Sequence, residues 1–149
     1  IDCDVHHGNG NEEIVYIDKS VYYGSIHQQP LFPGTGLESE TGVGNIFNAP
    51  ISSKVTRDEF MEIFSTKILK NVDLFKPEVI IISAGFDAHT RDPLAGVCLE
   101  SKDYFTITKN IVDAAKRHSD GRVISFLEGG YDLQALSESI EAHLMALSC

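Results

Sequence analysis

The chain opens on the stretch Ile1-Asp2-Cys3-Asp4-Val5-His6-His7-Gly8-Asn9-Gly10, around which the rest of the sequence is organised. If residues 1–5 end a buried strand, alternate side chains point to opposite faces, so Asp2, Asp4 and His6 share one face. Two carboxylates and an imidazole are costly to desolvate unless a cation or hydrogen bonds compensate them. Their spacing suits a divalent metal at the strand end. A plain strand end followed by a polar turn is the alternative.

Size and composition are those of one α/β domain. With 149 residues, of which 42% are hydrophobic, the chain can fill a real core. The apolar runs are far shorter than the roughly 20 residues that a membrane span needs. No signal peptide, repeat or low-complexity segment is present in the sequence. We therefore expect a soluble, cytoplasmic protein that does not interact with membranes.

Cysteine content and charge bear on the kind of site. Cys3, Cys98 and Cys149 are an odd set without CxxC spacing, which indicates neither a disulfide framework nor a cysteine-based zinc site. A net charge of −10 argues against direct contact with nucleic acid, which requires a basic patch. Acidity is compatible with cationic substrates such as lysine-rich tails or polyamines, although most acidic proteins are simply soluble.

Helical and strand patterns alternate along the chain. The run Val79-Ile80-Ile81-Ile82 is typical of a parallel strand covered on both faces, and Thr56-Arg57-Asp58-Glu59 is a capping box that begins a helix. The predicted strands are 1–5, 21–27, 47–51, 78–83 and 123–127. The predicted helices are 9–16, 57–75, one capped by Ser101 with the apolar stripe Tyr104, Ile107, Thr108, Ile111, Val112 and Ala115, and a last one with the apolar face Leu133, Leu136, Ile140, Leu144 and Leu147. This order predicts a three-layer α/β sandwich with a mainly parallel sheet.

Ligands of such sheets bind where the carboxyl ends of the strands meet, and three polar stretches lie there. The first is 4–10. The second, 83–94, begins just past the buried strand and can bring Asp87 beside Asp4 and His6 as a third ligand, whereas Asp92-Pro93 has the form of a turn. The third is Glu128-Gly129-Gly130-Tyr131-Asp132-Leu133. Its glycines let the backbone approach a substrate closely, and its tyrosine can direct a hydroxyl at a developing oxyanion.

A long connection with many prolines and glycines follows the second predicted strand. Within it, Leu31-Phe32-Pro33-Gly34-Thr35-Gly36 places an aromatic ring beside rigid and permissive backbone. Loops of nearly twenty residues in compact domains are usually functional or disordered. The fragment suits the wall of a substrate channel, and a plain surface loop is the alternative.

Four motifs, in this order, resemble the zinc-dependent histone deacetylase superfamily. They are Asp-x-Asp-x-His-His-Gly-Asn-Gly at 2–10, Phe-Pro-Gly-Thr-Gly at 32–36, Ser-Ala-Gly-Phe-Asp-Ala-His with Asp-Pro-Leu at 83–94, and Glu-Gly-Gly-Tyr-Asp-Leu at 128–133. Asn9 and the Ala-Gly-Phe-Asp wording are similar to the class II branch and bacterial histone deacetylase-like amidohydrolases. The resemblance covers essentially the whole chain and implies an arginase/deacetylase-like fold.

The resemblance implies a role for each matching residue. Asp4, His6 and Asp87 match the zinc ligands, and Tyr131 matches the catalytic hydroxyl that polarises the acetyl carbonyl. The substrate channel of the family is matched by Phe32, Gly129 and Gly130, and the partners of two catalytic histidines by Asp2 and Asn9. The family also binds a potassium ion, which by position involves Asp2, Asp4, His6 and Ser25, partly through main-chain oxygens.

The activity implied is zinc-dependent hydrolysis of an acetyl-lysine or other acetylated-amine amide, with release of acetate. Two carboxylates and one imidazole nearly neutralise Zn²⁺, so its bound water is less acidified than on a three-histidine site and a base is needed. In the family this base belongs to tandem histidines upstream of the zinc strand, and no such pair precedes Asp2 here. The chain therefore resembles the C-terminal part of a catalytic domain, and we expect it to lack deacetylase activity when alone.

The other histidines have no partner at metal spacing. His7 faces opposite to His6 and is expected to fix the turn. For His27, His89, His118 and His143 we expect solvent-facing or local hydrogen-bonding roles.

Two other functions fit the same residues. A ureohydrolase of the arginase type shares the architecture but bridges two manganese ions, so metal stoichiometry discriminates it. A non-catalytic module of the same fold would bind an acetylated ligand or a partner without hydrolysing it. The substrate is also open, since protein lysine, an acetylated polyamine and a small acetylated metabolite all fit an acyl channel.

Overall fold

The computed structural model describes residues 1–149 and contains a parallel sheet built around the start of the chain. The predicted strand 1–5 is present only as isolated bridges at Asp2, which pairs with Ser25 on one side and Ser83 on the other, because the chain already bends from Asp4 onwards. This N-terminal segment nevertheless lies between two strands. Strands β1 (Tyr23–Gln28) and β2 (Ile46–Ile51) pair in parallel, as do β3 (Ile80–Ala84) and β4 (Val123–Leu127). The order across the sheet is β2, β1, N-terminal segment, β3, β4.

The helices follow the predicted order. They are α1 (Asn9–Val15), α2 (Arg57–Ile63), a π-helical stretch (Phe64–Leu69), α3 (Lys70–Phe75), α4 (Ser101–His118) and α5 (Leu133–Leu147). The predicted helix over 57–75 is thus confirmed as one continuous helical segment, although its π-helical middle was not predicted. None of these helices is long and apolar enough to span a membrane.

One face of the sheet carries the main core. Its inward side chains, among them Val5, Ile26 and Ile82, pack with Phe64 from the π-helical stretch and Ile111 from α4, and all five are almost fully buried. Burial of such side chains contributes about 1.5–3 kcal/mol each. All six residues of the stripe predicted for α4 are buried, as expected.

The opposite face of the sheet is only partly covered. Helix α1 lies on this side, where its Ile14 lines a cleft together with Ile81 and Phe126. The helices on both faces give the predicted three-layer arrangement. The prediction that β3 is covered on both faces is wrong within this chain, because Ile81 and its neighbour Ile124 in β4 are each 49% exposed.

Two details of the helix predictions need correction. The residue that caps α4 is Glu100 rather than Ser101, and its N–H donates to the Asp103 carboxylate over 2.9 Å. In α5, the predicted apolar face is only partly right, because Leu133 and Leu144 are 80% and 55% exposed. The residues of α5 that are buried are Ala135, Ser139, His143 and Ala146. Small side chains let α5 approach α4 closely, which turns the large leucines at its edges towards solvent.

His143 joins three elements inside this packing. Its Nδ1 lies 2.7 Å from the Thr108 hydroxyl of α4 and its Nε2 lies 2.9 Å from the Ser125 hydroxyl of β4. The ring also meets Phe86 edge-on. Burial lowers the pKa of His143 below its usual value of 6.5. The imidazole is therefore held neutral in the fold.

We expect acid to weaken the fold through His143. Below pH 6.5 the unfolded chain binds a proton that the folded chain refuses, so stability is lost as the pH falls towards the lowered folded pKa. The loss in this window is at most about 1.4 kcal/mol per pH unit. Urea unfolding at pH 7.5 and 5.5 measures it, with His143→Gln as the reference that lacks the titrating group. An equal loss in both proteins would contradict the assignment.

Candidate metal centre

The three predicted metal ligands meet at the carboxyl end of the N-terminal segment. Asp4 and His6 leave that segment together, and Asp87 follows β3, its neighbour in the sheet. Nδ1 of His6 lies 3.1 Å from Oδ1 of Asp4 and 2.9 Å from Oδ2 of Asp87. One ligand atom from each residue lies within 4.8 Å of the others. The expectation that ligands bind where the carboxyl ends of strands meet thus predicted residues that the structure brings together across 83 positions of sequence.

Backbone amides hold these carboxylates in position. Val5 N–H donates to Oδ1 of Asp87 over 2.8 Å, which leaves Oδ2 facing the imidazole. His6 N–H and Gly129 N–H donate to the two oxygens of Asp4, each over 2.8 Å. The side chains are therefore oriented before any cation binds, because the donors belong to fixed backbone.

The electrostatics of the cluster favour a bound cation. Burial, followed by the negative charge of Asp4, raises the pKa of Asp87 to about 7. Burial likewise raises the pKa of Asp2 to about 6, against the hydrogen bond from the Tyr23 hydroxyl, which lowers it. These carboxylates are costly to ionise in the fold without compensation, and a divalent ion would supply it. Two carboxylate oxygens and one imidazole nitrogen are ligands that zinc accepts in sites with a position left for substrate.

Glycines make room for the cluster. A Cβ atom on Gly129 would lie 2.2 Å from Oδ2 of Asp87 and 2.6 Å from Oδ2 of Asp4. A Cβ on Gly85 would lie 2.4 Å from Cα of Asp4. Real Cβ atoms essentially never approach other atoms so closely. Gly85 therefore requires glycine for space, because it would meet backbone, and a Cβ at Gly129 would displace the two hydrogen-bonded carboxylates.

A cleft of about 750 Å³ opens over the metal ligands. Phe32 and Tyr131, which are 79% and 51% exposed, contribute side chains to its walls. Gly129 lines the cleft, whereas Gly130 does not. Gly130 has a φ of +144°, which side chains rarely allow, and a Cβ there would lie 2.7 Å from Cδ1 of Leu136. The full lining is Asp2, Asp4, His6, His7, Gly8, Asn11, Phe32, Ser83, Leu94, Leu127, Glu128, Gly129 and Tyr131.

Hydrogen bonds at Tyr131 and at the next residue hold the segment that places the Tyr131 phenol in the cleft. Its N–H donates to Oδ2 of Asp92 over 2.9 Å, and the next residue, Asp132, caps α5 by accepting from Ala135 N–H over 2.7 Å. The phenol makes no hydrogen bond within the chain and is free to meet a ligand. Partial burial, and then the negative charges of Asp87 and Asp4, raise the pKa of Tyr131, so the phenol keeps its proton at neutral pH.

The supporting residues behave differently from one another. Asp2 is buried beside the cluster, accepting from the Tyr23 hydroxyl over 2.9 Å and from Asp4 N–H over 3.1 Å. Asn9 is exposed at the start of α1, does not line the cleft, and its side chain has no partner within the chain. Ser25 is fully buried, and its hydroxyl lies 2.9 Å from Nδ1 of His27.

His7 lies at the centre of a polar cluster that sequence reasoning did not find. Its Nε2–H donates to the buried Glu12 carboxylate over 2.9 Å, and its Nδ1 lies 2.8 Å from the Thr35 hydroxyl. Asn48 donates to the same carboxylate over 2.7 Å. His7 thus ties the turn after the ligands to α1 and to the loop that carries Phe32. A glutamate near a helix start gave no signal in sequence, since this position normally faces solvent.

The remaining histidines make hydrogen bonds, which for His27 and His89 are with nearby residues, as expected, and for His118 are with a residue distant in sequence. Nε2–H of His27 donates to the Gly36 carbonyl over 2.9 Å. His89 lies 3.2 Å from the Ser101 hydroxyl, and His118 pairs with Asp73 over 2.7 Å. None of them, nor His143, contributes to the metal cluster.

Known proteins resemble the chain over its whole length. The model of the histone deacetylase domain matches residues 1–147. Histone deacetylase 14, chloroplastic, of Arabidopsis thaliana is 38% identical over 99% of this chain and 36% of its own. A probable deacetylase of Archaeoglobus fulgidus is 38% identical over 90% of this chain and 38% of its own. The solved structure of an acetylpolyamine aminohydrolase from Burkholderia pseudomallei superposes with a TM-score of 0.89 at 28% identity, over 99% of this chain and 44% of that one. The chain thus spans less than half the length of each of these relatives.

Proposed function

Because the chain belongs to the histone deacetylase family, we propose that it contributes the metal centre of a zinc-dependent deacetylase that hydrolyses acetylated amines. The observation that carries the proposal is the convergence of Asp4, His6 and Asp87 beneath a cleft that also contains Tyr131. Protein acetyl-lysine and acetylated polyamines are both candidate substrates. The name of the Burkholderia pseudomallei relative refers to an acetylpolyamine and that of the Arabidopsis thaliana relative to histones, whereas the name of the Archaeoglobus fulgidus relative leaves the substrate open.

Each residue of the site has a part in the proposed reaction. Bound at Asp4, His6 and Asp87, zinc would supply a Lewis acid for the acyl carbonyl and for an attacking water. Tyr131, which keeps its proton, donates a hydrogen bond to the oxygen on which negative charge develops. Gly129 keeps the cleft floor free of side chain. Phe32 offers an aromatic wall for the aliphatic part of an acylated amine.

The general base is the part that these residues do not supply. His6 faces both carboxylates, and the two nitrogens of His7 are engaged by Glu12 and Thr35. We therefore expect the 149-residue chain alone to bind zinc but to lack turnover. The same observation favours a second candidate, a module that binds an acetylated ligand without hydrolysing it.

The deciding experiment measures turnover and metal on the same samples. The 149-residue chain and the complete product of its gene are assayed with a fluorogenic acetyl-lysine substrate and with acetylated polyamines, before and after chelation and zinc repletion. We expect one zinc per site in both proteins but turnover only in the complete product. We also expect chelation to abolish this turnover. One zinc with binding but no release of acetate would favour the binding module, and two metals per site would favour a ureohydrolase.

The predicted potassium site is a separate part of the proposal. We expect Asp2, Asp4, His6 and Ser25 to hold the ion beside the zinc ligands, partly through main-chain oxygens. Elemental analysis of protein purified in potassium-free and potassium-containing buffers tests this expectation.

A further inference from the structure

A buried carboxylate outside the metal cluster contacts the backbone of Tyr131. Asp92 is 8% exposed and belongs to the Asp-Pro pair that reads in sequence as a simple turn. Its Oδ2 accepts from Tyr131 N–H over 2.9 Å, and its Oδ1 accepts from Leu94 N–H over 2.9 Å. No arginine, lysine or histidine pairs with it. Two peptide N–H groups therefore compensate a charge that would be costly to bury alone.

The backbone that carries Asp92 is itself held by hydrogen bonds. Its N–H donates to the His89 carbonyl over 2.8 Å, and His89 accepts from Arg91 N–H over 3.0 Å at Nδ1. Arg91 in turn pairs with Glu138 of α5. The carboxylate is thus held by a rigid turn, which is the requirement for a residue that positions another.

The loop 128–132 is held on both sides of Tyr131. Gly129 donates its N–H to Asp4 and accepts from Phe86 N–H over 2.7 Å at its carbonyl, and Asp132 caps α5. Between them, Gly130 has a φ of +144°, and the Tyr131 phenol has no partner within the chain. The direction of the phenol therefore depends on the peptide that Asp92 holds.

We propose that Asp92 is the positioning residue for Tyr131, fixing through the Tyr131 peptide N–H the place of the phenol over the metal ligands. The inference rests on the proposed function, because it assigns the way in which the oxyanion donor of that reaction is oriented. Asp92 touches neither the ligand atoms nor the space where a substrate would lie. Asp92 also holds the N–H of Leu94, another residue of the cleft wall, so the test must separate an effect through Tyr131 from one through Leu94.

Asparagine and alanine at position 92 separate this role from simple folding. Asn keeps the volume but has one acceptor for two N–H groups, and Ala has none. In the complete gene product we expect kcat to fall about 10-fold in Asp92→Asn and about 100-fold in Asp92→Ala, the size of effect that misplacing a reacting group produces. Zinc content is expected to be unchanged. Asp58→Asn, at an aspartate whose side chain is 93% exposed, is the matched control and should retain full turnover.

A double-mutant cycle identifies the pathway of the effect. In a Tyr131→Phe background, Asp92→Asn should lower kcat by less than about twofold, because the hydroxyl that it orients is already gone. The proposal would be overturned if Asp92→Asn lowered kcat equally with tyrosine and with phenylalanine at position 131. It would also be overturned if Asp92→Asn left kcat unchanged in the protein that keeps Tyr131.

Hydrogen exchange of the 149-residue chain keeps the test independent of the proposed function. We expect the Tyr131 amide to exchange at least about tenfold faster in Asp92→Asn, while the amides of α4 remain protected. If no acetylated amine is turned over by the parent protein, the proposed function fails but this measurement still decides the contact. Unchanged exchange at Tyr131 would show that Asp92 does not hold that peptide.

Discussion

Replacing Gly129 with alanine is expected to weaken zinc binding by about 100-fold, the upper end of effects seen when residues that support metal ligands are changed. The new methyl group would lie 2.2 Å from Oδ2 of Asp87 and 2.6 Å from Oδ2 of Asp4, the two carboxylates that face the imidazole. Either the carboxylates separate or the loop 128–132 withdraws. Withdrawal would also break the hydrogen bond from Gly129 N–H to Asp4. Both responses remove a ligand atom from its place.

Space, rather than backbone conformation, is the reason for glycine at this position. Gly129 does not have a positive φ, so alanine could adopt its backbone angles. The matched control is Gly10→Ala, because Gly10 lies in α1 and a Cβ there meets nothing within 4 Å. Alanine in a helix stabilises by up to about 1 kcal/mol relative to glycine.

Competition with a chromophoric zinc indicator measures the zinc affinities of Gly129→Ala and Gly10→Ala in the 149-residue chain. Thermal unfolding without metal checks that each variant folds. Wild-type affinity in a folded Gly129→Ala protein would mean that the carboxylates do not bind zinc in the observed arrangement. A loss of affinity in Gly10→Ala would show that the effect is not specific to the cleft.

The ligand cluster was accessible from sequence because two general rules act on it. Alternation predicts Asp4 and His6 on one side, and although the chain bends at these residues they still leave the segment together; the neighbouring parallel strand brings Asp87 to the same edge of the sheet. Both rules depend only on backbone geometry. The order of strands and helices was predictable for the same reason, since apolar periodicity reports which residues face a core.

Contacts that depend on a particular side-chain partner were not accessible. Asp92 accepts from a peptide 39 positions away, and Glu12 is buried only because His7 and Asn48 meet it there. Nothing in their local sequence distinguishes them from solvent-facing acids. The same limit explains α5, where Leu136, Ile140 and Leu147 pack against the core as predicted but Leu133 and Leu144 are exposed, and the buried residues include Ala135, Ser139 and Ala146.

Replacing Tyr131 with phenylalanine is expected to lower kcat of the complete gene product by about 10²–10³, the cost of losing one donor to a developing oxyanion. The change removes a single hydroxyl and keeps the ring that lines the cleft. Because this hydroxyl has no hydrogen bond within the chain, its loss should leave folding and zinc content unaltered. The raised pKa of Tyr131 means that the hydroxyl is protonated at neutral pH, which a donor must be.

Steady-state kinetics with an acetyl-lysine substrate, together with zinc analysis, test this expectation. Tyr16→Phe is the matched control, because Tyr16 follows α1 and does not line the cleft. A donor that acts only on developing charge changes kcat more than KM, since the ground-state carbonyl carries little of that charge. If the loss lies in KM alone, Tyr131 binds substrate without stabilising the transition state. If turnover is unchanged, the oxyanion is stabilised by other groups and the phenol is not part of the reaction.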